Sequence, residues 1–261
     1  MHTIHQQLID AAARLSDEVA ALTFGKPVTH VYNPLQYAWQ AHRRYLLRAN
    51  PRGVDVLLMG MNPGPWGMAQ TGVPFGEIAV VRDWIGIDEP VESPADVHPK
   101  RPIEGFQCQR SEVSGRRLWG LFRQRFGTAD KFFARHFVAN YCPLVFMEES
   151  ARNRTPDKLG IDERAALSEA CDRHLESVLS LLRPKHVVGV GRYAEQALLR
   201  VARGAGSDAK VTRILHPSPA SPAANRDWSG TVTGQLEEAG VWGRRSGEWR
   251  VASGGKKKRE S

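Results

Sequence analysis

Val54-Asp55-Val56-Leu57-Leu58-Met59 is an apolar run that opens into Gly60-Met61-Asn62-Pro63-Gly64-Pro65-Trp66-Gly67-Met68. The first part reads as a buried strand. The second is a loop with three glycines and two prolines. Glycine lets backbone approach a ligand closely, and proline holds a loop in one shape. In an open α/β sheet, ligands bind at the carboxyl ends of the strands, and Asn62 is the one polar side chain at this turn. A second such turn lies near the far end of the chain. Val211-Thr212-Arg213-Ile214-Leu215 reads as a strand that opens into His216-Pro217-Ser218-Pro219-Ala220-Ser221-Pro222. Two stiff loops, each with one polar residue just past a strand, read as two halves of one active site.

Working outward, His136-Phe137-Val138-Ala139-Asn140-Tyr141-Cys142-Pro143-Leu144 reads as another buried strand, with Asn140 near its carboxyl end. His186 to Gly191 is a further strand with a glycine turn. Helical spacing covers 3–22, 37–47, 161–182 (stopped by Pro184), 192–202 and 225–240. A helix over Ser114–Phe126 starts on a serine cap. Residues 78–86 read as a short helix, 88–105 as an irregular surface segment and 148–158 as polar loop. Strands that alternate with helices and carry continuous apolar runs imply a parallel sheet covered on both faces.

The chain has 261 residues, 41% of them hydrophobic and 25% charged, which fits one globular, soluble domain over 1–243. No run is long enough to span a bilayer. The N-terminus lacks the basic start and apolar core of a signal peptide. Cys108, Cys142 and Cys171 form no disulfide framework, which suits a reducing compartment, and no Cys/His grouping has zinc spacing. No metal and no cofactor are expected. Of the net charge of +8, five charges come from residues 244–261, where seven basic residues face two acidic ones. The high isoelectric point therefore belongs mostly to a basic tail, read as a solvated, disordered end that raises non-specific affinity for phosphates.

The residues quoted above also carry a resemblance. Together with Val31–Trp39, Met68-Ala69-Gln70-Thr71-Gly72-Val73-Pro74-Phe75-Gly76-Glu77, Val81-Arg82-Asp83-Trp84, Ser111-Glu112-Val113-Ser114-Gly115 and Val188–Arg192, they resemble the single-strand-selective monofunctional uracil-DNA glycosylases of the uracil-DNA glycosylase superfamily. The resemblance spans roughly 31–240. It implies a three-layer α/β/α sandwich around a four-stranded parallel sheet. It also implies a monomeric DNA-repair enzyme that removes uracil from single- and double-stranded DNA, without strand cleavage.

The residue roles come from the same resemblance. His216 is implied to donate to uracil O2, where the leaving base gathers negative charge; preorganised donors facing such charge are usually the largest catalytic contribution. Asn62 is implied to position the attacking water. Asn140 is suited to uracil's N3–H and O4, because one amide offers an acceptor and two donors. Cytosine reverses that pattern and leaves buried groups unpaired, at roughly 1–3 kcal/mol each. Phe75 is implied to stack on the flipped base, and Met61 to help line the pocket. Gly64 stands where other uracil glycosylases place a bulky ring against the base's 5-position, so it should leave room for 5-hydroxymethyluracil and related oxidised pyrimidines. The loop Pro217, Ser218, Pro219, Ala220, Ser221, Pro222 is implied to wedge into DNA beside the extruded nucleotide. Ala220 departs from relatives that can carry a larger basic side chain, which bears on duplex activity. Trp66 replaces an expected phenylalanine.

Two other readings stand beside this one. Gly189-Val190-Gly191-Arg192-Tyr193-Ala194 matches a dinucleotide-binding turn and would suit a nicotinamide oxidoreductase. A damage-binding protein without catalysis would use the same pocket. The expected location is inside the cell: the cytoplasm and nucleoid of a bacterium, or a nucleus if Lys256-Lys257-Lys258-Arg259 serves as an address.

Overall fold

The computed structural model describes residues 3–243. The basic tail at 244–261 lies outside the described residues. The chain runs α1 Ile4–Ala20, β1 Val28–Tyr32, α2 Pro34–Tyr37, α3 Trp39–Leu46, β2 Val56–Gly60, α4 Met68–Thr71 and α5 Ile78–Val80, which passes into a π-turn at Val81–Ile85. It continues with α6 Val113–Phe126, α7 Ala129–Phe133, β3 His136–Asn140, β4 Val145–Glu148, β5 Asn153–Arg154, α8 Ile161–Leu182, β6 His186–Val190, α9 Arg192–Gly204, β7 Lys210–Ile214 and α10 Pro222–Glu238.

The main sheet has four parallel strands in the order β3-β2-β6-β7. All five residues of β2 are buried, as a central strand covered on both faces requires. The connection leaving β2 runs toward β3, and the one leaving β6 runs the other way, toward β7. Right-handed crossovers then place α5–α7 on one face and α9 on the other. The helix α8 packs against α1 and α9, and α10 packs against β7 and α6. The result is the three-layer α/β/α sandwich. Its crevice opens where the two connections diverge, at the carboxyl ends of β2 and β6. On one side the core is aromatic: Trp119, Phe122 and Phe132 are fully buried, with the Phe122 and Phe132 rings stacked at 4.6 Å.

Four local expectations change. The stretch 136–144 is not one strand. Residue Asn140 ends β3, and the chain turns as Tyr141 N–H donates to Gly60 O and Cys142 N–H to Met61 O, both at 2.9 Å. Pro143 has no N–H to extend a ladder, and the chain leaves as β4, antiparallel to β1. β4 and β5 join β1 in a small second sheet, so part of the polar loop 148–158 is a strand. Ser114 does not cap α6. The cap position is Glu112, and Ser114 sits buried in the first turn. Ser221 instead caps α10, its hydroxyl accepting from Ala224 N–H, so Pro222 of the wedge segment is the first residue of that helix. Finally, 37–47 breaks at Ala38 into α2 and α3.

Candidate active site

The register of the main sheet brings the sequence's candidates together. Gly60 pairs with Asn140, so the ends of β2 and β3 lie side by side. Gly191 N–H donates to Ile214 O at 3.0 Å, which sets the end of β7 beside the turn after β6. Beyond these ends lies a cavity of about 370 Å³ whose lining includes Met61, Asn62, Gly64, Phe75, Asn140 and His216. Ser218 and Pro219 of the wedge segment reach its rim, while Ala220 is exposed outside it. A larger cleft of about 530 Å³, by Lys185 and Ala209, lies at the amino ends of β6 and β7, the wrong end of a parallel sheet for a ligand site.

Each polar side chain is oriented by its neighbours. Asn62 donates its Nδ2 to Leu144 O at 3.1 Å, and its Oδ1 has no hydrogen-bond partner among the described residues. Asn140 Nδ2 lies 3.3 Å from Met68 Sδ, and its Oδ1 is buried with no hydrogen-bond partner. A buried, unpaired amide oxygen is costly unless a ligand completes it. At His216, Nδ1 accepts from Ser218 N–H at 3.1 Å. An accepting Nδ1 assigns the proton of the neutral ring to Nε2. Burial also lowers the pKa of His216 below the ordinary histidine value, because the charged form is the one that loses solvation. The ring is thus a neutral Nε2–H donor.

Phe75 adopts a left-handed backbone, φ 54°, rare for a bulky residue. Its carbonyl accepts from Glu77 N–H at 2.8 Å, and Trp119 Nε1 donates to the adjacent Pro74 O at 3.2 Å. A Cβ at Gly115 would collide with the Phe75 carbonyl, so α6 packs onto this strained turn only because residue 115 is glycine. Such over-determined strain collects at functional sites. The Phe75 ring sits 6.4 Å from that of His216, centre to centre. Gly60 makes the corner possible: a Cβ there would lie 2.6 Å from both Asn140 Oδ1 and the Phe75 ring.

Three features escaped the sequence reading. Glu112 lines the cavity, its carboxylate near the backbone N–H groups of Trp66 and Ser114. Burial pushes its carboxyl above the ordinary range, against the pull of those two donors. The space beside Gly64, expected to be open, is bounded by this carboxylate, which would collide with a Cβ at residue 64. Arg117 of α6 holds the wedge segment, donating to Pro217 O at 3.1 Å and Asn225 Oδ1 at 2.8 Å. The guanidinium groups of Arg101 and Arg110 lie 5.0 and 4.9 Å from the centre of the Trp66 ring. Only Glu112 carried a signal, through its place in the Ser111–Gly115 segment.

The glycines of the dinucleotide-like turn have packing roles. A Cβ at Gly189 would enter the backbone of Glu195 in α9, and one at Gly191 would lie 3.3 Å from His216 Cβ. They let α9 and the His216 loop close over the ends of the strands.

The model of the uracil DNA glycosylase superfamily matches residues 47–232. The chain belongs to that superfamily. This superfamily member is 46% identical over 239 residues to the mouse "single-strand selective monofunctional uracil DNA glycosylase", with 92% of this chain and 86% of the mouse protein covered. It is 48% identical over 228 residues to the bovine protein of the same name, covering 87% and 84%. Among solved structures it is similar to wild-type SMUG2 of Pedobacter heparinus, with a TM-score of 0.66 at 15% identity, covering 92% of this chain and 98% of that one. At that identity the likeness speaks for the fold.

Proposed function

We propose that this chain is a monofunctional uracil-DNA glycosylase that hydrolyses the N-glycosidic bond of uracil in single- and double-stranded DNA and leaves an abasic site. The observation that carries this reading is the buried, unpaired Oδ1 of Asn140, set in one cavity with a neutral His216 Nε2–H, Asn62 Oδ1 and the Phe75 ring. In this reading a flipped uracil stacks on Phe75 and gives its N3–H to Asn140 Oδ1. As the C1′–N1 bond breaks, its electron pair passes into the base and His216 Nε2–H stabilises the charge at O2. Donors already aimed at developing charge cost no reorganisation. A water accepted by Asn62 Oδ1 attacks C1′, forming the new C–O bond and releasing a proton to solvent.

Among the described residues no lysine lines the cavity, which supports hydrolysis over imine formation and strand cleavage. The pyrimidine's 5-position is placed against Gly64, which extends the substrates to 5-hydroxymethyluracil. The segment 217–221 enters the duplex beside the extruded nucleotide. The high similarity to mammalian proteins named for uracil excision supports the reaction.

The test is a labelled single-stranded oligonucleotide carrying one uracil, incubated with the purified protein and no added metal or cofactor. Breakage only after alkali is the expected result. An intact strand overturns the reading for uracil, and breakage before alkali overturns the monofunctional assignment.

A further inference from the structure

An enzyme that accepts 5-hydroxymethyluracil must refuse thymine, which differs from it by one hydroxyl group. A steric plug at the 5-position cannot make that distinction, since it excludes both. A polar group can. The space beside Gly64 holds one: the Glu112 carboxylate, carried at the cap position of α6, whose Oε2 stands where a Cβ at residue 64 would meet it. A Cβ at Gly67 would lie 2.9 Å from Glu112 Cγ.

The carboxylate is positioned but not satisfied. An ionised carboxylate offers about four acceptor sites. Two backbone N–H groups, those of Trp66 and Ser114, lie near it. Among the described residues no basic side chain forms an ion pair with it. It borders the cavity together with Gly64. Glu112 thus lies against both Gly64 and Gly67 of the loop that carries Asn62.

We propose that Glu112 is the specificity residue that separates a 5-hydroxymethyl group from the 5-methyl group of thymine. The inference rests on the proposed placement of the 5-position against Gly64. The substrate hydroxyl donates to a carboxylate oxygen and replaces its lost solvation. Thymine's methyl covers the same oxygen and returns nothing. Sites built to bond a hydroxyl reject the analogue that lacks it by about 10⁴-fold or more. Uracil, with only hydrogen at that position, leaves the carboxylate solvated and does not depend on it.

The test compares Glu112→Ala and Glu112→Gln with the unaltered protein under single-turnover conditions. Oligonucleotides carry uracil, 5-hydroxymethyluracil or thymine opposite a gap, and melting curves check that the variants fold. The Ala variant is expected to lose at least about tenfold more rate on 5-hydroxymethyluracil than on uracil, as the loss of one hydrogen bond to a charged group predicts. The Gln variant, which keeps one acceptor oxygen, should fall between. An equal loss on both bases in both variants would mean that Glu112 only pins the Gly64–Gly67 loop, and overturns the inference. Uracil excision by the unaltered protein with none of 5-hydroxymethyluracil would sink the underlying placement of the 5-position instead, a result read on the wild type before any variant is made.

Discussion

The two proline-bearing loops that meet at the cavity are held in opposite ways. The loop after β2 is tied from inside the protein. Gln70 Nε2 donates to Pro65 O at 3.1 Å and to Pro102 O at 3.0 Å, Asn62 is fixed to Leu144 O, and Glu112 packs against Gly64 and Gly67. Pro63, Gly67 and Met68 are buried. The loop after β7 is held by a few side chains: Arg117 donates to Pro217 O and Asn225 Oδ1, Asn225 Nδ2 donates to Pro219 O, and Ser218 Oγ accepts from Ala220 N–H. Pro219 and Ala220 at its tip are exposed. On the proposed function, the difference follows from what each must do. A loop that places an attacking water tolerates errors of well under an ångström, so it is built into the core. A loop that probes a duplex has to stand out in solvent, so its shape depends on prolines and on the tethers from Arg117 and Asn225.

If the inner loop carries the chemistry, the largest effect comes from breaking its side-chain array. Asn62→Ala, and equally His216→Ala on the facing loop, should lower the single-turnover rate on uracil by about 10²–10³-fold with little change in DNA affinity. A variant that cleaves at the unaltered rate would remove that residue from the mechanism.

Acid should loosen the inner region next. His42 Nδ1–H donates to Gly72 O at 2.7 Å beneath this segment, and burial lowers the pKa of His42 to about 4. His136, at the foot of β3, is likewise lowered to about 4 by burial. Both stay neutral in the folded chain and take up a proton in the unfolded chain near pH 6.5. The unfolded state therefore binds more protons between pH 6.5 and 4, and stability falls as the pH drops through that window. Each site should cost on the order of 3 kcal/mol by pH 4. Urea midpoints taken from pH 7 to 4.5 would expose this decline, and a flat series would contradict it.

The outer loop should respond more gently. Arg117→Ala should weaken duplex binding by about tenfold, in line with the loss of one or two hydrogen bonds to a charged donor, while the rate on bound single strands stays near normal. A fall in that rate with unchanged binding would show that the tether serves the chemistry instead. The smallest effect belongs to Ala220→Arg. One added phosphate contact should steepen the salt dependence of duplex binding by a log–log slope of about 0.9. No change in slope would mean that the tip does not reach the backbone.

How much of this was legible beforehand varies with the range of the forces involved. The parallel strands could be read because a strand buried on both faces must be apolar throughout, as β2 is. The small sheet could not. β1 exposes Thr29 and Val31, and β5 has only two residues, so neither carries the apolar run or long alternation that marks a strand. They exist because β4 offers them an edge. Asn62, Gly64, Asn140 and His216 were legible as polar or glycine positions at strand ends, while Met61 and Phe75 came only from the resemblance. Glu112 and Arg117 were not, because their partners lie far along the chain: Trp66 for one, Pro217 and Asn225 for the other.

The sequence by itself determined the strand-and-loop grammar, the family and several residues facing the cavity, Asn62, Asn140 and His216 among them, since these depend on local pattern and on motifs in order. Only the tertiary structure decided that Gly64 faces a carboxylate, that Asn140 keeps an unpaired oxygen, and that His216 is a neutral Nε2–H donor. Each of these is a contact between segments distant in the chain or a consequence of burial, and desolvation exists only once the chain has packed.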